Sequence, residues 1–419
     1  MSDDKYESEI IADLSADSRG LNLTVCWPSW RSSRYLALDL DRKYRRRGIS
    51  DTMRGTLCWV SANAFVLKVL ASMPTITNAA EFLELAKDTQ IVDVRSPAEF
   101  ADGHVLGAVN IPLFDDQQRH EVGLLYAEAG HDEAVLKGLE FFGPRMRELA
   151  EQAKKLAGEN GKLLVHCWRG GMRSSAMAWL FEQASIEVHL LEGGYKAYRT
   201  FVHETFARPY RKLVVLSGLT GAGKTKILKQ LEQFGEQVVD LEGLANHRGS
   251  AFGGIGQPKQ PSVEHFENKL ADRLLSLDAD KRIWLEDESR KIGRATMPSP
   301  FFDQFRAAPA VFINVDRNER IANIVEDYGD LDREELKLAT ERITKRLGGQ
   351  NVKAVVELID QEKIKEGFDI LLDYYDRSYM LAKSKQNRCS EIEVPISDDG
   401  SGAVCKLLVD AAEKLAAVV

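Results

Sequence analysis

Two short segments of this chain hold residue types whose spacing supports chemistry. The first is His166-Cys167-Trp168-Arg169-Gly170-Gly171-Met172-Arg173-Ser174, directly after the apolar run 162–165. A loop between strand and helix aims backbone N–H groups inward and sets Cys167 beside a helix N-terminus. Both effects favour thiolate over thiol, and both cradle an anion. Gly170 and Gly171 permit the tight backbone path. Arg169 and Arg173 add positive charge, and Arg173, next to Ser174, is placed to grip an oxyanion with two parallel hydrogen bonds. The implied chemistry is a nucleophilic thiolate facing an anionic substrate.

The second segment is Gly218-Leu219-Thr220-Gly221-Ala222-Gly223-Lys224-Thr225, which fits GxxxxGK[ST] between a strand and a helix. Here Gly218, Gly221 and Gly223 let backbone N–H groups wrap phosphate oxygens. Lys224 neutralises them, and Thr225 can bind Mg²⁺. Farther on, Glu286 and Asp287 end a buried run and read either as holders of a metal or its water, or as cap and surface acids. Arg317 and Arg320 follow another strand and read either as phosphate-binding arginines or as a solvated helix face. Taken alone, the loop says diphosphate or triphosphate binding and does not choose among hydrolysis, transfer and recognition.

Strands must position both loops. Runs at 90–94, 162–165, 188–191, 213–217, 238–239, 283–285 and 311–315 alternate with helical stretches, which predicts mainly parallel α/β sheets. Thr77-Asn78-Ala79-Ala80-Glu81 reads as a helix cap followed by a helix through about Ala86, and residues 318–380 read as mainly helical. The 419 residues, 44% hydrophobic, suit two or three domains. The reading is a domain over 73–207, a second over 208–419 with a helical C-terminal part, and an extension over 1–72. That extension holds the basic run 42–47 but shows no clean period and no paired elements; it reads as a poorly ordered arm or as upstream of a true start at Met53 or Met73. Five widely spaced cysteines form neither a disulfide framework nor CxxC metal spacing. No apolar run reaches membrane length, so a cytoplasmic protein with no membrane partner is expected.

Three motifs over 73–207 resemble the rhodanese family. They are Val92-Asp93-Val94-Arg95-Ser96-Pro97-Ala98-Glu99-Phe100, the Gly103–Pro112 segment that begins Gly-His-Val-Leu-Gly, and Glu192-Gly193-Gly194-Tyr195. The resemblance implies a cysteine that carries sulfur or selenium. Five residues separate Cys167 from Arg173, a spacing that also resembles the Cdc25-like and tyrosine phosphatase loop and suits a phosphate-like substrate. Asp93 and Glu99 read as loop locks. An alternative is a cysteine phosphatase or sulfurtransferase fused to a P-loop kinase.

The pairing of a rhodanese-like domain with a P-loop domain resembles the tRNA 2-selenouridine synthase family. Asp240-Leu241-Glu242-Gly243-Leu244-Ala245-Asn246-His247-Arg248-Gly249-Ser250-Ala251-Phe252-Gly253 carries that resemblance, with Leu285-Glu286-Asp287-Glu288-Ser289-Arg290 and Lys345-Arg346-Leu347-Gly348-Gly349-Gln350. What it implies is a selenotransferase acting on tRNA. Geranyl diphosphate would S-geranylate a wobble 2-thiouridine, and selenophosphate would then supply selenium through Cys167. No tightly bound cofactor is expected, Mg²⁺ is an optional helper, and an enzyme that makes selenophosphate is a plausible partner. The chain carries a net charge of −8, so an RNA would be held by local basic patches. Candidates are Arg208, Arg211 and Lys212, and Arg342, Lys345 and Arg346 on one helical face. His247 and Arg248 are candidates for the RNA or the diphosphate.

Overall fold

The computed structural model describes residues 13–17, 20–24, 74–329, 331–384, 388–396 and 401–417. Residues 1–73 and 74–419 are separate compact units. In the first, Asp13–Asp17 pairs antiparallel with Gly20–Thr24. This corrects the expectation of no paired elements there. Leu14, Ala16, Leu21 and Leu23 alternate with other residues, a period-two pattern too short to stand out. The basic run 42–47 and the two candidate start methionines lie outside the described residues.

In the second unit, one sheet is wholly parallel. Its order is Thr75–Thr77, Glu187–Leu191, Lys162–His166, Ile91–Asp93, Val109–Asn110. Its central strands are continuous apolar runs because helices cover both faces. Local signals set the entries: the Asn78 side chain accepts from the amides of Ala80 and Glu81, both at 3.0 Å. Ser96 and Glu99 form a reciprocal capping box at the helix Pro97–Asp102.

The other sheet is also parallel, in the order Glu391–Pro395, Ala310–Asn314, Leu213–Gly218, Ile283–Glu286, Gln237–Val239. The strand that leads into the glycine-rich loop is therefore central. Later strands add on both of its sides, and ligands of such sheets bind at the carboxyl ends near that reversal. The helices Arg317–Tyr328, Arg333–Arg342, Gly349–Asp360 and Ile364–Lys383 pack into a separate apolar cluster beside the loop. Arg342 and the pair Lys345/Arg346 do not share one continuous helix. Ile343 breaks it, and Thr344–Leu347 is a new short turn. Among the described residues no helix is long and apolar enough to cross a membrane.

One apolar cluster runs without interruption through both sheets' helices. Phe82, Tyr195, Val202 and Phe206 from the first meet Phe266, Leu270, Phe301 and Phe305 from the second. Burial on this scale holds the two α/β layers in a fixed relation.

Candidate active site

Cys167 is 3% exposed and follows the strand Lys162–His166. The helix Met172–Gln183 starts five residues later. Its Sγ lies 3.2 Å from Ser174 Oγ, and Ser174 Oγ is 3.0 Å from the Gly171 carbonyl. Burial, the largest influence, pushes the thiol up. Hydrogen bonds from the Ser174 hydroxyl and from the amides of Arg169 and Ser174, with the Arg173 charge, outweigh it and hold the thiol below its usual range.

The Glu192-Gly193-Gly194 turn braces this loop from below. Tyr195 N donates to Cys167 O at 2.8 Å and Lys196 N to Trp168 O at 2.9 Å. The contact needs bare backbone: Gly194 sits at φ +61, and a Cβ there would lie 2.4 Å from Gly170 N and 2.5 Å from Cys167 O. Arg169 is exposed and supplies an amide to the sulfur.

Arg173 is placed beside the loop but is partly engaged. Its guanidinium donates to Glu99 Oε2 at 2.6 Å and Oε1 at 3.3 Å. That uses two of its five donors. Glu99 is thereby held below the usual carboxylate range; burial opposes this, and the Arg173 hydrogen bond and charge win. Asp93 forms a fully buried pair with Arg95 at 2.6 Å. The Arg95 guanidinium sits 3.8 Å over the Tyr195 ring. So Asp93 and Glu99 both act on neighbouring arginines and neither touches the sulfur.

The site is tied to the second sheet through Tyr195. Its hydroxyl donates to Glu264 Oε1 at 2.9 Å and accepts from Asn268 Nδ2 at 2.7 Å. Asn268 Nδ2 also donates to His104 O at 3.0 Å. The His104 and His265 rings lie 4.3 Å apart across the same seam.

At the glycine-rich loop, Lys224 opens the helix Lys224–Gln233 and its Nζ donates to Gly218 O at 3.0 Å. Gly218 ends the strand, and Gly221 and Gly223 follow with φ of +79 and +75. A Cβ at Gly221 would lie 2.6 Å from Arg320 O. Thr225 Oγ1 donates to Glu242 Oε2 at 3.1 Å.

Glu242 and Glu288 hydrogen-bond to each other, and both are raised above the usual range; burial is the largest cause for each, with the charge of Asp240 adding to it for Glu242 and that of Glu242 for Glu288. Glu286 is fully buried behind them, accepts from Glu242 N at 2.8 Å and is raised by burial and by Asp240 and Glu242. Sequence reasoning singled out Glu286 and Asp287 and passed over Glu242 and Glu288. Only the folded chain shows that Glu242 and Glu288 converge on Lys224.

Asp287 is locked: Arg388 pairs with it, and the Tyr379 hydroxyl donates to it at 2.8 Å. Arg320 is 4% exposed, paired with Asp376 at 2.9 Å and bonded to Thr220 O at 3.1 Å. It shapes the loop from behind. Arg317 pairs with Asp369 and Asp373, each at 2.8 Å, outside the cleft lining.

The loop opens into a cleft of 630 Å³. Its lining includes the polar Lys224, Thr225 and Glu288 and the apolar Phe252, Tyr328, Phe368, Leu371 and Leu372. Arg248 also lines it, 5.1 Å over the Tyr328 ring and donating to Asp327 O at 2.8 Å. His247 does not line the cleft; it packs against Gly253 and Gly293, and burial lowers its basicity. Sequence reasoning missed the apolar wall because its members come from three distant segments. Arg208, Arg211, Lys212, Arg342, Lys345 and Arg346 are exposed. The Arg208 guanidinium lies over the Phe201 ring and Lys212 donates to Asp280 O.

Comparison with known proteins agrees with this two-part architecture. Residues 211–396 match the tRNA 2-selenouridine synthase AAA domain, and residues 78–201 match the rhodanese-like domain. The tRNA 2-selenouridine synthase of Marinobacter nauticus is 35% identical over 345 residues, covering 74% of this chain and 92% of that protein. The synthase of the same name from Hydrogenovibrio crunogenus is 35% identical over 70% of this chain and 89% of its own. That from Sulfurovum sp. is 35% identical over 73% and 92%. A cysteine loop on one parallel sheet, a glycine-rich loop on the next and matches along both together place this chain in the tRNA 2-selenouridine synthase family of enzymes.

Proposed function

We propose that this enzyme replaces the sulfur of a wobble 2-thiouridine in tRNA with selenium, in two steps at its two loops. In the first, the thiouridine sulfur attacks C1 of geranyl diphosphate. The C–O bond breaks, diphosphate leaves, and the N3 proton passes to solvent. The observation that carries this step is the cleft itself: the phosphate loop opens directly onto an aromatic and aliphatic wall. A diphosphate on Lys224 and the loop amides would put its hydrocarbon on that wall. Loop donors aimed at the diphosphate stabilise it as it departs. An apolar wall suits an isoprenoid chain better than the sugar and base of a nucleotide, which weighs against the reading as a P-loop kinase. Magnesium fits here with few protein ligands, since phosphate and water supply most of its shell. Among the described residues no three His, Cys, Asp or Glu side chains gather as a metal cage; Thr225 is the residue that would hold the ion, adding charge against the diphosphate.

In the second step the Cys167 thiolate would attack the phosphorus of selenophosphate: the S–P bond forms, the P–Se bond breaks and selenide leaves, and hydrolysis of the S–P bond then frees the cysteine. Arg173 and the loop amides would receive the phosphoryl oxygens. Water supplies the oxygen that completes inorganic phosphate. Selenium, at the selenide level, adds to C2 of the uridine and expels geranylthiolate. S-geranylation thus serves to turn the sulfur into a better leaving group.

The tRNA would lie along exposed cations. Arg211, Arg342, Lys345 and Arg346 form no ion pair among the described residues, so they are available to phosphates, and binding should weaken steeply with added salt. Two variants test the assignment. Cys167→Ala should still geranylate 2-thiouridine tRNA and then stop there. Lys224→Ala should fail to geranylate at low geranyl diphosphate. Selenouridine formation by Cys167→Ala from geranylated tRNA would refute the cysteine's role.

A further inference from the structure

Besides Lys224, the cleft is lined by Arg290 and Arg306. Among the described residues neither forms an ion pair with a carboxylate. Arg306 lies near the end of the helix Ser299–Ala307, which Phe301 and Phe305 anchor in the core, each at 0% exposure. Its guanidinium sits 5.9 Å over the ring of Phe302, one turn earlier on the same helix, and Phe302 also lines the cleft. The stack orients the planar fork and leaves its N–H donors free. Asp287 is the carboxylate whose charge Arg306 feels, and it is already engaged by Arg388 and the Tyr379 hydroxyl. Burial, and then the charge of Arg388, hold the Arg306 guanidinium below its usual range. Arg290 is exposed. Its Nε donates to Met297 O at 3.2 Å and its Nη2 to Ser299 Oγ at 2.5 Å, at the start of the helix that carries Arg306. Its Nη1 has no partner among the described residues.

A partly buried cation without a counter-charge is costly to the fold. Two such groups tied to one anchored helix make a site that an incoming anion completes. The prenyl diphosphate already has Lys224 and the loop amides as its partners. The other reactant at this cleft is a uridine within a chain of phosphates. Its sulfur has to reach C1 of the prenyl group, so the phosphates on either side of that uridine come to the same cleft. Arginine forks fit phosphate oxygens two at a time. Phosphate contacts are also what fix the register of a nucleic acid on a protein.

The geometry points to Arg306, together with Arg290, as a phosphodiester subsite that grips the RNA backbone next to the target uridine and so brings its sulfur to the prenyl diphosphate. The subsite rests on the reading of this cleft as the place of prenyl transfer, and adds the groups that hold the second reactant there.

The test uses the full chain and a fluorescent anticodon stem–loop RNA bearing 2-thiouridine, with binding read by anisotropy over a range of salt. Arg306→Gln should weaken binding about tenfold and make the slope of log affinity against log salt shallower by about 0.7. Arg290→Gln, at an exposed position that tolerates the change, should act in the same direction by less. Arg306→Lys should recover the salt slope and part of the affinity, since it keeps the charge and loses the fork. In steady-state geranylation the glutamine variants should raise KM for RNA and leave KM for geranyl diphosphate unchanged. Melting temperatures should stay at or above the wild-type value, because an uncompensated cation has been removed. Wild-type RNA affinity and salt slope in both glutamine variants would overturn the subsite. A rise in KM for geranyl diphosphate alone would also overturn it, by assigning the arginines to the diphosphate. Anisotropy does not depend on turnover. A wild-type protein that transfers no prenyl group, with variants that still bind RNA more weakly, would overturn the reading of the cleft and leave the subsite standing.

Discussion

Ser174→Ala isolates what makes Cys167 acidic. The thiol is 3% exposed, so burial alone would keep it protonated. Ser174 Oγ, 3.2 Å from the sulfur, is the largest influence in the opposite direction. The hydroxyl has one proton and two acceptors, since the Gly171 carbonyl is 3.0 Å away. Once the sulfur ionises, the charged acceptor wins that proton. A hydrogen bond to a charged group contributes roughly 1.5–3 kcal/mol, and competition from Gly171 favours the lower figure. The variant should therefore titrate higher, and its thiolate fraction at a pH below both midpoints should fall about tenfold. Rates of iodoacetamide alkylation against pH, quantified on the Cys167 peptide, measure the midpoint directly. Superimposable profiles for the wild-type and variant proteins, with unchanged melting curves, would refute the role given to Ser174.

Three further outcomes follow from the geometry. Gly194→Ala forces a Cβ to within 2.4 Å of Gly170 N at a φ of +61. It should lower the melting temperature and raise Cys167 alkylation, because the loop must shift; a wild-type melt would contradict the brace. Tyr195→Phe removes the hydroxyl that joins the two sheets through Glu264 and Asn268, and should cost roughly 1–3 kcal/mol in urea denaturation by leaving buried partners unsatisfied. Arg95→Met leaves Asp93 buried without its cation and should cost about 3–5 kcal/mol near neutral pH. Asp93 is held below its ordinary value: burial opposes this, but the charges of His166 and Arg95 and the Arg95 hydrogen bonds prevail. The pair's contribution is thus present above the unfolded carboxylate value and lost as pH falls through the lower folded one. The difference between Arg95→Met and wild type should narrow on acidification, as followed by denaturation at several pH values.

The two loops were legible in the sequence because each is a contiguous motif between a buried strand and a helix. The parallel sheets followed from apolar runs alternating with helices, and the Asn78 cap from its own residue type. What escaped was whatever depends on contacts between distant segments. The edge strands Thr75–Thr77 and Glu391–Pro395 are short and half exposed, so they carry little apolar signal. The helix Asp116–Glu128 buries no residue and shows no apolar stripe. Arg320 bonds to the glycine-rich loop and Asp287 is locked beside it, but Asp376, Tyr379 and Arg388, their partners, are more than fifty residues away. The aromatic wall joins residues 252, 328 and 368. No local pattern predicts that meeting.

Nucleoside analysis tests the proposed reaction sequence most directly. Purified protein is incubated with 2-thiouridine tRNA, geranyl diphosphate and selenophosphate, and the tRNA is digested for mass spectrometry. Geranylthiouridine is expected when selenophosphate is left out and selenouridine when both are present. Absence of both nucleosides, with folded protein and intact tRNA, would contradict it.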